Sequence, residues 1–499
     1  MNAPGLLFTL PFAGLLLSIA FLPLVAPAFW ARRHEPVACA WMLAFVIPGC
    51  IAFGAAHVVE SVLHALLVEY VPFLAIVVAL YVIAGEIRIA GRIAGTPVGN
   101  TLLLAFGAVL ASFMGTTGAS MLLIRPLLRA NTQRKARAHQ VVFLIFLVAN
   151  VGGALTPLGD PPLFLGFLRG VRFLWTLEHL WPATVFLALA LLAVFYCVDR
   201  WFWKRDGRPL NATGRGMLRL EGGWNLLLLA VAVGVVLASG ILKDHTLFRD
   251  PAELDAHAHS VASAAEALRA AESDLVAGGR LDALLRARAQ LSEARAAGEE
   301  AAQRGFLLSG VKVTFLQLAR DLLLFALAFL SLRMTPAQRR HATGFSWGPV
   351  REVAVLFAAI FVTMAPVIAM LRAGVDGPLA QLVLGVVNED GSPVPLSYYF
   401  ATGALSSFLD NAPTYLIFFN TAGGEAAVLM HDVRALAAIS AGAVFFGAMT
   451  YIGNAPNFMV RSIAEEEHVV MPSFFGYMLR WSVPVLLPLL VLAGWIFIA

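Results

Sequence analysis

Two Gly/Pro-bearing breaks, Thr156-Pro157-Leu158-Gly159-Asp160-Pro161-Pro162 and Thr450-Tyr451-Ile452-Gly453-Asn454-Ala455-Pro456, interrupt long apolar runs at matching places in the two halves of the chain. A break inside such a run frees backbone groups that need polar partners, so it survives only in protein or against a water-filled cavity. Two of them, each carrying a carboxylate or an amide, form the sequence pattern of a secondary transporter's binding site.

The rest of the chain agrees with a lipid environment. Of its 499 residues, 60% are hydrophobic and only 13% charged, against about 25% charged in soluble domains. The net charge of +4 gives no case for a nucleic-acid partner, because the basic residues fall in short loops where they set orientation. Apolar runs long enough to cross a bilayer lie at about 6–29, 37–57, 63–84, 139–170, 173–197, 223–242, 313–332, 350–371, 433–463 and 474–498. The first is too long for a signal-peptide core and reads as a retained helix.

Two further runs, 97–130 and 394–421, are broken near the middle by Gly115-Thr116-Thr117-Gly118 and Asp410-Asn411-Ala412-Pro413. Their arms read as too short to span, which predicts re-entrant helical hairpins. That reading puts Arg32/Arg33, Arg88/Arg92, Arg129, Arg134-Lys135-Ala136-Arg137, Lys204/Arg205 and Arg339/Arg340 on one face. The positive-inside rule makes that face cytoplasmic and both termini periplasmic. The segment 251–304 is rich in Ala, Glu and Arg around Gly278-Gly279. It predicts two helices on the outer face, with an inert insertion favoured over a partner-binding role.

Residues 73–197 and 355–498 carry the same parts in the same order: a helix, a hairpin, an interrupted helix and a closing helix. Ala111-Ser112-Phe113-Met114-Gly115-Thr116-Thr117 aligns with Ser406-Ser407-Phe408-Leu409-Asp410-Asn411-Ala412, and Thr156 through Asp160 with Thr450 through Asn454. The fold class is therefore an all-α polytopic membrane protein with inverted repeats. Its divisions are N-terminal helices at 1–72, a first repeat at 73–197, linker helices at 198–354 with an outer insertion at 243–310, and a second repeat at 355–499.

Ser407-Phe408-Leu409-Asp410-Asn411-Ala412-Pro413 and Thr156-Pro157-Leu158-Gly159-Asp160 resemble the two motifs of D-type bacterial sodium/proton antiporters. More broadly the chain is similar to the ion transporter superfamily, close to members labelled citrate transporters, over nearly all its length except 243–310 and the first two helices. The resemblance implies a homodimer in the bacterial inner membrane. A fixed scaffold domain would hold a transport domain, made of both hairpins and both interrupted helices, that moves as an elevator. Carboxylate carriers of the superfamily use Ser-Asn-Thr triplets at the tips, whereas this chain has Gly115-Thr116-Thr117 and Asp410-Asn411-Ala412.

In the superfamily arrangement each hairpin tip faces the interrupted helix of its own repeat. One site then gathers Thr116, Thr117, Ser120, Asn150, Thr156 and Asp160, and the other Ser407, Asp410, Asn411, Thr414, Thr450, Asn454 and Asn457. Asp160 and Asp410 are the expected cation and metal ligands. A carboxylate at bilayer depth costs about 2.5–3.5 kcal/mol and is a functional candidate by default. Sodium prefers oxygen ligands, and one carboxylate holds either a proton or a sodium ion, which suffices for antiport. The plainer reading of either aspartate is a helix cap.

Other residues carry less. Glu69, Arg320 and Asp321 lie near span ends, where snorkelling suffices. His57, His64, His257 and His259 read as solvated or interfacial, and Arg125 as reaching the interface or a neighbouring carboxylate. Cys39, Cys50 and Cys197 lack metal-ligand spacing and read as packing residues. The glycines Gly115, Gly118, Gly159 and Gly453 serve backbone geometry. The leading function is sodium/proton antiport without a cofactor, its transported ligands being sodium ions and protons and its surroundings lipid; coupled uptake of citrate or a related di- or tricarboxylate is the alternative. No triad order, zinc spacing or phosphate loop within the spans suggests an enzyme.

Overall fold

The computed structural model describes residues 5–90, 95–208, 219–276, 280–336, 345–388 and 392–499. Arg92, Arg339, Arg340 and the Gly278-Gly279 pair lie outside the described residues. The protein is an all-α, multi-pass membrane protein. Ten of its described helices are long and apolar enough to cross a bilayer. The only strands among the described residues form two short antiparallel ribbons, Arg88–Ala90 with Arg219–Glu221 and Gly305–Leu308 with Val311–Thr314.

The N-terminal helices run Leu10–Val25 and Pro27–Phe53, hinged at Ala26, and a third extends from Ala55 to Gly85 through a π-turn at Ala65–Tyr70. Arg32 and Arg33 sit on the exposed side of the second helix, not in a loop as the sequence suggested. Trp175–Arg205, Gly223–Leu242, Phe315–Met334, Gly348–Arg372 and Phe474–Phe497 complete the long helices outside the hairpins and broken helices.

The first hairpin joins Pro97–Met114 to Thr116–Ala130 at Gly115, whose φ of +82° suits glycine. Its first arm has 18 residues and ranks among the ten potential spans, which corrects the expectation that both arms are too short. The chain nevertheless doubles back. Gly95, before the first arm, lies against the Ala130 carbonyl at the end of the second, and the amides of Asn100 and Asn131 exchange hydrogen bonds at 3.0 and 2.9 Å. The second hairpin joins Pro395–Phe408 to Asn411–Thr421, and the rings of Tyr398 and Phe418 meet across its open end.

Each interrupted helix has two halves flanking an irregular break. In the first, Ala138–Leu147 gives way to a 3-10 turn at Val151–Leu155 and resumes at Pro161–Leu168; in the second, Val433–Phe446 and Gly447–Met449 lead to Ala455–Glu466. Pro161 and Pro456 stand within the first turn of the second halves, where their missing N–H costs nothing. The stretch Ala138–Leu155 is 89% buried, against 17% for the most apolar window of Pro27–Phe53. The broken helix is thus the middle of the bundle, and Pro27–Phe53 lies at its periphery.

The segment 251–304 forms the two expected helices, Pro251–Val276 and Leu281–Ala302. It does not stand apart. Ser292 donates to the Gly423 carbonyl at 2.9 Å, Arg295 approaches Glu425 at 3.6 Å, and Arg286 pairs with Asp376 at 2.7 Å. The segment therefore touches both the loop that leaves the second hairpin and the loop that follows Gly348–Arg372. Burial and the surrounding Arg295 and Glu299 charges act on Glu425, and burial dominates, raising its pKa.

Several peripheral charges are held by partners. Arg320 and Asp321, both buried, pair with each other at 2.8 Å, and Glu69 pairs with Arg169 at 2.6 Å. Cys39, Cys50 and Cys197 are not joined in disulfides.

Candidate transport site

The two breaks have the same backbone. Thr156 and Thr450 are extended at φ −140°, ψ 158° and φ −138°, ψ 169°; Asp160 and Asn454 follow at φ −142°, ψ 141° and φ −153°, ψ 137°. Their fastenings match as well. The Thr156 hydroxyl donates to the Ser112 carbonyl of the first hairpin and accepts the Leu158 N–H; the Thr450 hydroxyl donates to the Ser407 carbonyl of the second at 2.5 Å and accepts the Ile452 and Gly453 N–H groups. Gly159 and Gly453 lie so close to the carbonyls of Gly153 and Gly447 that an added Cβ would stand 2.1 and 2.6 Å from those oxygens. Each threonine thus ties a break to its own hairpin, and each glycine allows the chain to fold back on itself.

The tips differ. The first turns on Gly115, and the Thr116 N–H donates to the Gly159 carbonyl at 2.8 Å. The second turns on Leu409 and Asp410, with the Asp410 carboxylate accepting the Ala412 N–H at 3.1 Å. Asp410 therefore does cap its helix arm. Asp160 makes no such side-chain cap. Its carboxylate, 1% exposed, accepts from the Thr116 hydroxyl at 3.2 Å, from the Asn454 amide at 3.1 Å, and from the Asn411 amide.

These contacts join residues that the sequence assigned to two separate sites. Asn454 also donates to Asn150 at 3.2 Å, Asn150 donates to Asn457 at 2.8 Å, and Asn457 reaches the Gly447 and Thr450 carbonyls at 2.8 and 2.9 Å. The result is one continuous network, with Asp160 between Thr116 of its own hairpin and Asn411 of the other. Two further hydroxyls serve the backbone: Thr414 donates to Asp410 and Ser407 to Gly403. Ser120 is fully buried and its hydroxyl meets no partner among the described residues; the same holds for the side-chain oxygen of Asn411.

A cavity of about 470 Å³ opens beside this network. Thr116, Thr117, Asp160, Asp410 and Asn454 line it from the hairpins and broken helices; Phe73, Leu80 and Tyr81 of the third helix, Trp30, and Glu352, Phe357 and Ile360 of Gly348–Arg372 also line it. The lining includes three carboxylates and no Lys or Arg among the described residues. Arg125 borders a separate recess with Tyr81, Gly85 and Phe345. No group of three or more His, Cys, Asp or Glu side chains is gathered as a metal cluster among the described residues.

A family model described as "Putative citrate transport" matches residues 2–276 and 291–498. The chain belongs to that family. The match runs through the first two helices and all of the outer segment but 277–290, further than the sequence motifs reached. None of the curated proteins compared with the chain matches it. Family membership and the ten long apolar helices make the protein a multi-pass membrane transporter.

Sequence reasoning missed two features. Glu352 was hidden by its position in the first turns of a span. The other is a buried polar cluster at the open end of the first hairpin. Arg134 holds both oxygens of Asp199 at 2.7 and 3.0 Å, and His139, Gln140 and Asn100 reach the same carboxylate at 2.7, 3.1 and 3.0 Å. Arg134 was read as a loop charge, yet its side chain is 1% exposed. A helix-ending Asp199 opposite a basic hairpin exit was the available signal.

Proposed function

We propose that this transporter exchanges sodium ions for protons, with Asp160 as the group that holds one or the other. One observation carries the reading: the Asp160 carboxylate is buried among neutral donors, with no cationic side chain against it among the described residues. A buried, ionised carboxylate without a counter-charge is several kcal/mol unfavourable. A proton or a metal cation removes that cost, and the two exclude each other. Asp410 and the unpartnered Asn411 and Ser120 oxygens offer further oxygen ligands of the kind a hard cation takes.

The matched breaks support an elevator in which both hairpins and both broken helices travel together against Gly348–Arg372 and the N-terminal helices. We place the protein in a bacterial inner membrane as a homodimer with periplasmic termini, on the grounds of loop charge and superfamily resemblance.

The family description favours a second reading, cation-coupled citrate uptake. The cavity volume of about 470 Å³ lies within the range of small-molecule pockets, about 300–1,000 Å³. Three acidic lining residues without a base weigh against a tricarboxylate. Proteoliposomes loaded with a pH dye decide between them. Sodium added without citrate should change the internal pH; a silent dye together with accumulation of labelled citrate overturns antiport.

A further inference from the structure

Glu352 lines the same cavity as Asp160 and Asp410, from the helix Gly348–Arg372. Its Oε1 accepts the indole N–H of Trp30 at 3.3 Å, and Trp30 itself is buried. Among the described residues this indole is its one hydrogen-bond partner, and no ion pair neutralises it. The neighbouring charges are already engaged: Arg351 pairs with Glu35 at 2.7 Å, and Glu35 also has His34 within 3.9 Å. One neutral donor therefore fixes the carboxylate's orientation without cancelling its charge.

The cavity runs along this helix from Gly348 to Ile360, twelve residues or about 18 Å of helix, with Glu352 near its start. Apart from Trp30 and Tyr81, the residues lining the wall around Glu352 (Phe73, Leu80, Phe357 and Ile360 among them) are apolar. Among the described residues a cation in that space meets carboxylates at three places, and two of them belong to the hairpins and broken helices. A fixed negative charge bordered by low-dielectric walls raises the local concentration of cations.

We propose that Glu352 is a further cation-binding carboxylate, a staging site on the scaffold side of the cavity that receives the sodium ion or proton exchanged at Asp160. This rests on the antiport reading above and adds a residue to it. Loss of one unit charge from the cavity lining should weaken cation binding roughly tenfold, the effect of a charge about 10 Å distant at an effective dielectric of about 20.

Calorimetric titration of the full-length protein in detergent with sodium chloride, against choline chloride at equal ionic strength, tests both claims apart. E352Q should raise the half-saturating sodium concentration roughly tenfold, and E352D should restore it. W30F, which keeps the carboxylate, should shift it less than threefold. In proteoliposomes, E352Q should raise the sodium KM with the maximal rate within twofold of wild type. If E352Q titrates like wild type, or if W30F reproduces the whole change, Glu352 merely anchors Trp30 and the proposal fails. D160N reports on the other claim: unaltered sodium binding there overturns Asp160 as the exchange group, whatever E352Q does. Absence of sodium binding in the wild type sinks both.

Discussion

Replacing Thr156 and Thr450 by valine in turn asks whether the two breaks are held as their geometry indicates. Valine keeps the shape and removes only the hydroxyl. In T156V the Ser112 carbonyl loses its donor and the Leu158 N–H its acceptor; in T450V the Ser407 carbonyl and the Ile452 and Gly453 N–H groups are all released. Both threonines are buried, at 5% and 0% exposure, so water does not replace the lost bonds. At about 1–3 kcal/mol for each buried polar group left unpaired, T156V should cost about 2–6 kcal/mol and T450V about 3–9 kcal/mol. Serine retains the hydroxyl, and T156S and T450S should each stay within about 1.5 kcal/mol of wild type, a methyl's worth of packing. Thermal unfolding in detergent, followed by intrinsic fluorescence, gives the order: wild type, then the serine variants, then T156V, then T450V. Valine variants as stable as wild type, or serine variants as unstable as valine, would refute the assignment of these hydroxyls as the fastenings of the breaks.

Other outcomes follow from the same contacts. D160N should fold, because Asn411 can turn its amide and present its now unpartnered oxygen; sodium at a hundredfold excess over Kd should stabilise the wild type by about 2.7 kcal/mol and leave D160N unmoved in the same thermal assay. G159A should be worse than G453A, since its Cβ would stand 2.1 Å from a backbone carbonyl rather than 2.6 Å, and membrane yield and unfolding temperature would show the order. D199A strips the counter-charge from buried Arg134 and should cost about 3–5 kcal/mol, seen as loss of folded protein in size-exclusion chromatography. In a background lacking Cys39, Cys50 and Cys197, a short bismaleimide joining cysteines at Arg295 and Glu425, which are in contact, should stop flux; undiminished flux in the crosslinked protein would rule out movement of the second hairpin's exit loop against the outer helices.

The tertiary structure changed the meaning of some residues and left others as read. Asp160 and Asp410 looked alike as membrane-depth carboxylates, yet Asp410 caps the helix arm that follows it while Asp160 turns away from the amides of its own helix toward Thr116, Asn411 and Asn454. Local sequence offers both residues a cap. Only the approach of the second hairpin gives Asp160 better donors. The two-site partition fell for the same reason, because a motif records its own neighbours along the chain and says nothing about an asparagine some 250 positions away.

Apolar composition and run length by themselves determined a helical membrane protein, since a backbone in lipid must pair its own polar groups and only helices do so within each segment. The Gly/Pro punctuation likewise located both breaks to the residue, through missing N–H groups and close backbone approaches that no other side chains permit. Which arms pair was decided in three dimensions. Pro97–Met114 is long and apolar enough to span, and the pairing of Asn100 with Asn131 and the Arg134–Asp199 cluster close its hairpin at the base. Those bonds form between segments far apart in the chain, and so does the cavity that Glu352 and Asp160 both line. Their energy depends on distance and burial, which the order of residues does not carry.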